Sequence, residues 1–185
     1  MLVITHLVLN DMIKLKGEIV DICMLLEDSD ERIRDQVSLF LNELHSKGQN
    51  HIYNLFPNAI TRLSQEFPHM AQDEFENISK HLLSYIDKEK QMGAIVEKLC
   101  QKLKHNVSEN NKIEWRNTAF CLSQIKYSEK TFGKLLECYE FWKERMIDCP
   151  EVKECFNLIL QNCKRFSTKE MREKLEDFDQ KVNSD

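Results

Sequence analysis

The sequence predicts an all-α fold of about ten helices, arranged as antiparallel pairs stacked side by side into a solenoid. Three observations predict it. Apolar residues recur every three or four positions along most of the chain, the spacing that gathers them on one face of a helix turning once per about 3.6 residues. No long stretch alternates with the period of two that a half-buried strand requires. Only 4 Gly and 3 Pro occur among 185 residues, too few for the many turns of an antiparallel sheet.

The elements follow in order. Residues 2–13 form the first predicted helix, an apolar run interrupted by Thr5, His6, Asn10 and Asp11. It lacks a basic start and a small-residue cleavage site, so it does not read as a secretory signal. No segment has the roughly 20 consecutive apolar residues of a membrane span. Helices are predicted next at 17–27 and 30–46, with Ser29 or Asp30 as the cap of the latter and Gly48 as its terminator. The stripe Ile52, Leu55, Phe56, Ala59, Ile60 and Leu63 marks a helix at 50–65. Pro57 lies inside that stripe and is expected to kink the helix or to break it after Phe56.

Helices at 72–86 and 90–104 come next, the second carrying Met92, Ile95, Val96, Leu99 and Leu103 on one face. Those at 111–125 and 129–147 precede one at 150–163, where Pro150 suits the first turn because its missing N–H would be unpaired there anyway. The last, 168–182, presents Met171, Leu175, Phe178 and Val182, with Ser167 and Glu170 spaced as a capping box. Helix pairs recur at roughly 35–40 residues, the interval of a helical solenoid; a single closed bundle has the same periodicity. The segment from Leu25 to Leu44 adds a more particular pattern. An acidic turn, Asp28-Ser29-Asp30, precedes a helix with Ile33, Val37, Leu41 and Leu44 facing inward and Arg34 near its start. That pattern is typical of HEAT repeats, although any capped amphipathic helix can resemble it.

A hydrophobic content of 42% excludes a disordered chain, and the length suits one helical-repeat domain spanning 1–185. Twenty-six Lys and Arg stand against 31 Asp and Glu, a formal charge of −5. This excludes a uniformly basic nucleic-acid coat but not a local basic stripe. The 7 cysteines are odd in number and irregular in spacing, and read as free thiols packed as small hydrophobes in a reducing compartment.

No constellation calls for catalysis or a metal. Cys149, Cys155 and Cys163 lack a zinc-ligand spacing, and Cys155 and Cys163 share a stripe with Phe156 and Leu160. Cys100 and His105 are close in sequence but point in different directions on a helix. Glu27, Asp28, Asp30 and Glu31 cluster where a helix dipole favours negative charge, which explains them without acid–base chemistry. No glycine-rich phosphate loop exists. The expectation is a non-enzyme with no cofactor; the alternatives are a generic intracellular helical-repeat adaptor for another protein complex and an enzyme whose site converges only in three dimensions.

The basic residues offer more. Lys88, Lys90, Lys98, Lys102 and Lys104 outnumber Glu89 and Glu97, and Lys98 and Lys102 are one helical turn apart. Lys126, Lys130 and Lys134 form a second four-spaced set, diluted by Glu129 and Glu137. Such residues are candidate contacts for the phosphates of double-stranded DNA or for a protein partner, or they form a solvated helix face. Tyr139 and Trp142, three apart, are core residues or the anchors of a peptide groove. Residues 5–17 read as a helix, a turn and the start of the next helix, or else Asn10, set among Leu7, Val8, Met12 and Ile13, hydrogen-bonds to a neighbouring repeat.

THLVLNDMIKLKG at 5–17 resembles a signature of the HEAT-repeat regulatory subunit of condensin I. The resemblance continues through FLNELHSKGQNHIYNLFPNAITRLS at 40–64, where Asn42, Glu43, Leu44, Lys47, Gly48, Ile52, Tyr53, Asn54, Leu55 and Pro57 carry it. It resumes at 81–104 and more weakly at 117–136; the last fifty residues add little. The resemblance implies the C-terminal portion of a longer, non-catalytic subunit. It also implies kleisin and SMC partners, possible contact with double-stranded DNA, and a place in the nucleus and on mitotic chromosomes with a cytoplasmic pool. It does not designate contact residues; the lysines above are chosen on physical grounds.

Overall fold

A computed structural model describes residues 18–47, 51–67, 69–105, 112–165 and 168–183. Every regular element among them is helical, and the helices associate as antiparallel pairs, as the apolar spacing predicts. The chain divides into two compact units, Met1–Ile86 and Asp87–Asp185. The helix predicted at 2–13, the burial of Asn10, and the roles of Gly48 and Ser167 lie outside the described residues.

The first unit contains α1 (Glu18–Met24), a 3-10 turn (Leu25–Glu27), α2 (Glu31–Ser46), α3 (His51–Glu66) and α4 (Gln72–Leu83). The acidic turn before α2 works through hydrogen bonds. The Asp30 carboxylate accepts from the Arg32 backbone N–H at 2.9 Å and caps the helix. The Asp28 carboxylate accepts from the Asp30 N–H at 2.8 Å. Arg34 reaches back from the first turn and donates to the carbonyls of Asp28 at 2.6 Å and Ser29 at 3.2 Å. The early arginine therefore closes the turn. α2 then buries Val37, Phe40, Leu41 and Leu44, and α3 buries Ile52, Phe56, Ala59, Ile60 and Leu63. Pro57 does not break α3, which runs unbroken from His51 to Glu66 with the proline buried inside it. The apolar stripe continues on both sides of Pro57, so packing outweighs the one lost backbone bond.

The second unit contains α5 (Glu89–His105), α6 (Lys112–Ser123), α7 (Glu129–Glu137), α8 (Tyr139–Asp148), α9 (Pro150–Lys164) and α10 (Lys169–Asn183). Its helices form two layers: α5 packs on α7 and α8, which pack on α10, while α6 packs on α9. α5, α7 and α10 begin at Glu89, Glu129 and Lys169, a strict 40-residue step. A short sequence echo accompanies it, Glu89-Lys90-Gln91-Met92-Gly93 and Glu129-Lys130-Thr131-Phe132-Gly133. Each glycine lies under a lysine from the next helix of the layer. A Cβ on Gly93 would stand 3.0 Å from Cδ of Lys134, and one on Gly133 would stand 3.9 Å from Nζ of Lys174. Lys134 pairs with Glu97 and Lys174 with Glu129, so the same device ties α5 to α7 and α7 to α10.

One predicted helix is corrected. The span 129–147 is two helices, α7 and α8, parted at Cys138 with φ −88° and ψ 10°. The Leu135 carbonyl, which a continuous helix would have bonded to the Tyr139 N–H, accepts from the Cys138 N–H at 3.2 Å and from the Trp142 indole N–H at 3.1 Å. With its polar handle paired, the indole is fully buried. Trp142 meets Phe156 of α9 at 4.5 Å between ring centroids and Phe178 of α10 at 5.7 Å, and Phe178 meets Phe132 of α7 at 5.1 Å. The core thus rests on four rings from four helices.

Arg145 supplies a second junction. Its side chain is buried, with Nε donating to the Leu103 carbonyl in the last turn of α5 at 3.0 Å and Nη1 to Asp148 at 2.9 Å. Its guanidinium lies 4.4 Å over the Trp115 ring of α6. A cation at the C-terminal end of a helix is favoured by the dipole, and a planar one can stack and donate together. Trp142→Ala should lower the unfolding free energy of the chain by about 3–5 kcal/mol, the range for emptying a packed aromatic site. Ile147→Ala, at a residue 84% exposed, should stay within about 0.5 kcal/mol of the parent. Urea unfolding of both variants checks the contrast. Arg145→Ala should cost about 2–3 kcal/mol by stranding a buried carbonyl and removing the stacked cation. Arg145→Lys should recover less than half of that in the same assay, since an ammonium cannot reproduce the stacked fork.

Candidate functional site

All eight candidate lysines and both candidate aromatics lie in the second unit. Lys88, Lys90, Lys98 and Lys104 are exposed on or beside α5, and Lys126 and Lys130 are exposed at the start of α7. The remaining two are set differently. Lys134 bridges to Glu97 across the α5–α7 seam, so its charge is largely matched within the protein. Lys102 is half-buried; removal from water lowers its pKa, and the Glu114 carboxylate acts in the opposite sense. The i,i+4 relation of Lys98 and Lys102 therefore joins an exposed cation to one turned toward α6. Lys104 leans the other way, with Nζ 4.8 Å over the Phe141 ring of α8.

The aromatic pair divides in the same manner. Trp142 is core, the first of its two sequence readings, and presents no surface to a peptide. The structure thereby corrects its candidacy as a groove anchor: its indole is turned inward to bond the Leu135 carbonyl. Tyr139 is half-exposed and packs edge-on against Trp142 at 4.9 Å. Lys143 and Lys181 approach the Tyr139 ring at 5.8 and 5.5 Å, giving it a cationic rim.

Sequence reasoning missed three features. Arg145 was not singled out, because a lone arginine on an amphipathic helix carries no signal until Leu103 and Trp115 are brought to it. The 40-residue echo of Glu-Lys and Gly was legible but unread. A groove of about 800 Å³ opens between the α6–α7 link and the facing ends of α9 and α10, lined in part by Ser123, Lys126, Tyr127, Asn162, Thr168 and Met171. Its walls are distant in sequence, so no motif announces it. Among the described residues, no group of three or more His, Cys, Asp or Glu is placed to hold a metal ion, and no helix is long and apolar enough to cross a membrane. The arrangement offers exposed ammonium groups along a packed helical layer.

Comparison with known proteins gives the context. The family profile described as non-SMC mitotic condensation complex subunit 1 matches residues 1–123. Condensin complex subunit 1 of Xenopus laevis is 36% identical over 98% of the chain, and that of Mus musculus is 37% identical over 99%. Condensin-1 complex subunit CAP-D2 of Arabidopsis thaliana is 36% identical over 98%. The chain spans only 13%, 13% and 12% of the length of these three proteins, respectively. No solved structure matches the chain significantly. The family profile covers well over half the chain and the relatives cover nearly all of it, so the chain belongs to the family of non-SMC mitotic condensation complex subunit 1.

Proposed function

We propose that this chain is a non-catalytic helical scaffold within a condensin subunit, holding kleisin and SMC partners and contacting double-stranded DNA through phosphates. The observation that carries the reading is the similarity to condensin subunits over 98–99% of the chain. The physical character of the second unit supports it. Helices held by a four-ring core and by ion pairs between successive helices of one layer form a closely packed support. The exposed lysines give that support an anion-seeking surface that does not read sequence. On this reading residues 1–185 form one continuous helical-repeat domain of a longer subunit, acting in the nucleus and on mitotic chromosomes. ATP hydrolysis belongs to the SMC partners, and the scaffold's contribution is placement. The rival reading, a generic adaptor with a peptide groove at Tyr139 and Trp142, loses its anchor with the burial of Trp142.

Six of the eight candidate lysines are exposed, and these are the proposed phosphate contacts: Lys88, Lys90, Lys98, Lys104, Lys126 and Lys130. Lys102 contributes at the margin of that set and Lys134 chiefly as a tie. Reversing Lys98 and Lys102 together to Glu should weaken duplex binding by about tenfold at low salt and lower the salt-dependence slope by about 1 to 2, as expected for one lost phosphate contact at Lys98 and a partial one at Lys102. A companion pair, Lys98→Glu with Lys102→Gln, avoids setting a second carboxylate near Glu114 and should keep most of the effect. Fluorescence anisotropy across a salt series reads both quantities, and an unchanged affinity at low salt removes these lysines from the account. For the protein partners, a kleisin chain should be retained by this chain or by the intact subunit that contains it. Failure of both to retain it in a pull-down would overturn the scaffold reading.

A further inference from the structure

Two thiols in the second unit face each other across the seam between α5 and the α7–α8 joint. Four contacts establish this facing without reference to the cysteines. Gly93 lies under the Lys134 stem, Glu97 pairs with Lys134, Lys104 lies over Phe141, and the Leu103 carbonyl accepts from Arg145. Residues of α5 thus meet residues 37 to 42 positions later in the chain. Cys100 and Cys138 fall within that register, one turn beyond the Glu97–Lys134 pair. Positions 93, 97, 100 and 104 share one face of α5, and 134, 138, 141 and 145 share the face opposite, so the two thiols are neighbours across the seam; each shifts the other's ionisation, Cys100 upward and Cys138 downward. Cys100 is fully buried and Cys138 keeps 7% of its surface.

We propose that Cys100 and Cys138 are a modification site, a thiol pair that a hydroperoxide converts reversibly into a disulfide stapling α5 to the α7–α8 joint.

The chemistry balances in two steps. The Cys138 thiolate attacks one oxygen of hydrogen peroxide, the O–O bond breaks, and the departing hydroxide takes up a proton to become water. Cys138 is then a sulfenic acid. The Cys100 sulfur attacks the Cys138 sulfur, the S–O bond breaks, and the departing oxygen leaves as a second water with the Cys100 proton. Two thiols and one peroxide yield one disulfide and two waters, and the two electrons lost by sulfur reduce the peroxide. A dithiol reductant reverses the product by exchange.

Position and environment assign the first step to Cys138. The neighbouring Cys100 thiol favours its thiolate, as does the Lys134 ammonium more weakly, while partial burial and the carboxylates of Glu97 and Glu137 act against it; the net direction is down. Burial pushes other core thiols the opposite way, Cys23 to about 12 and Cys163 to about 11. The thiolate is the form that reacts with a peroxide. Cys138 is also the one non-helical residue between α7 and α8. Closing from thiol contact to a disulfide bond of about 2.05 Å requires a backbone that can shift, and a helix junction supplies it more readily than a helix interior.

The test treats the 185-residue chain with hydrogen peroxide, blocks free thiols, and digests it with trypsin without reduction. The expected product is residues 99–102 joined to residues 135–143, two hydrogens lighter than the separate peptides, and lost on dithiothreitol treatment. In Cys100→Ser, dimedone should label Cys138 as a sulfenic acid; in Cys138→Ser, the linked peptide should vanish. The oxidised parent should melt several degrees higher than the reduced one, since the cross-link restricts the unfolded chain. The mapping on the parent chain decides the matter even if a variant fails to fold. Peroxide that leaves both thiols free to alkylate, drives Cys138 to sulfinic acid without linkage, or joins Cys138 to another molecule would overturn the proposal.

Discussion

A helix interrupted at a single residue strands carbonyls that must find new donors, and the second unit is organised around how one of them does so. At Cys138 the Leu135 carbonyl takes the Cys138 N–H and the Trp142 indole N–H. The second bond lowers the cost of burying the whole of Trp142, because an unpaired indole N–H would cost about 1–3 kcal/mol there. Once Trp142 is seated, Phe156 and Phe178 close on it and Phe132 closes on Phe178. The break therefore does not weaken the layer. It turns the chain so that α7 and α8 present separate faces to the same core.

That arrangement explains which parts of the fold were legible. Stripes such as Val152, Phe156 and Ile159 specify a helix and its inward face, because burial follows directly from spacing. The acidic turn before α2 was legible too, since caps act within a few residues. The break at Cys138 was not. Its stabilising bond comes from a side chain four residues on, and the stripe Phe132, Leu135, Trp142 runs through the site without a gap that sequence alone could detect. Pro57 shows the converse. A residue that locally favours a break lies inside an unbroken α3 because Phe56, Ala59 and Ile60 on either side are buried together. Tertiary packing decided both cases, in opposite directions.

The candidate surface was legible as composition and not as geometry. Counting charges found the lysines, but equal charges on paper have unequal surroundings. Lys134 and Lys174 cross the neighbouring helix over a glycine and end on a glutamate, so their positive charge serves the stacking of repeats. Each pair is partly exposed and adds little to stability. What the pairs supply is register: a one-turn slip between α5 and α7 would separate Glu97 from Lys134 and bring Gly93 out from under its stem.

This division of labour bears on the proposed contact with DNA. A lysine already matched by a carboxylate has released its share of counterions within the protein, so placing it near a phosphate adds little to the salt-dependent term. A lysine whose ammonium stays in water keeps more of its counterion atmosphere to exchange for phosphate. With a formal charge of −5, the chain as a whole repels a polyanion at long range. On the proposed reading, attraction comes from the exposed lysines at distances within a Debye length of about 8 Å, where the more distant acidic groups are screened. A rigid layer is what lets scattered lysines act together at that distance. If α5 and α7 moved independently, each cation would pay its own ordering entropy against the phosphate backbone. The same core and ties that stack the repeats therefore set the condition under which weak cationic contacts add up.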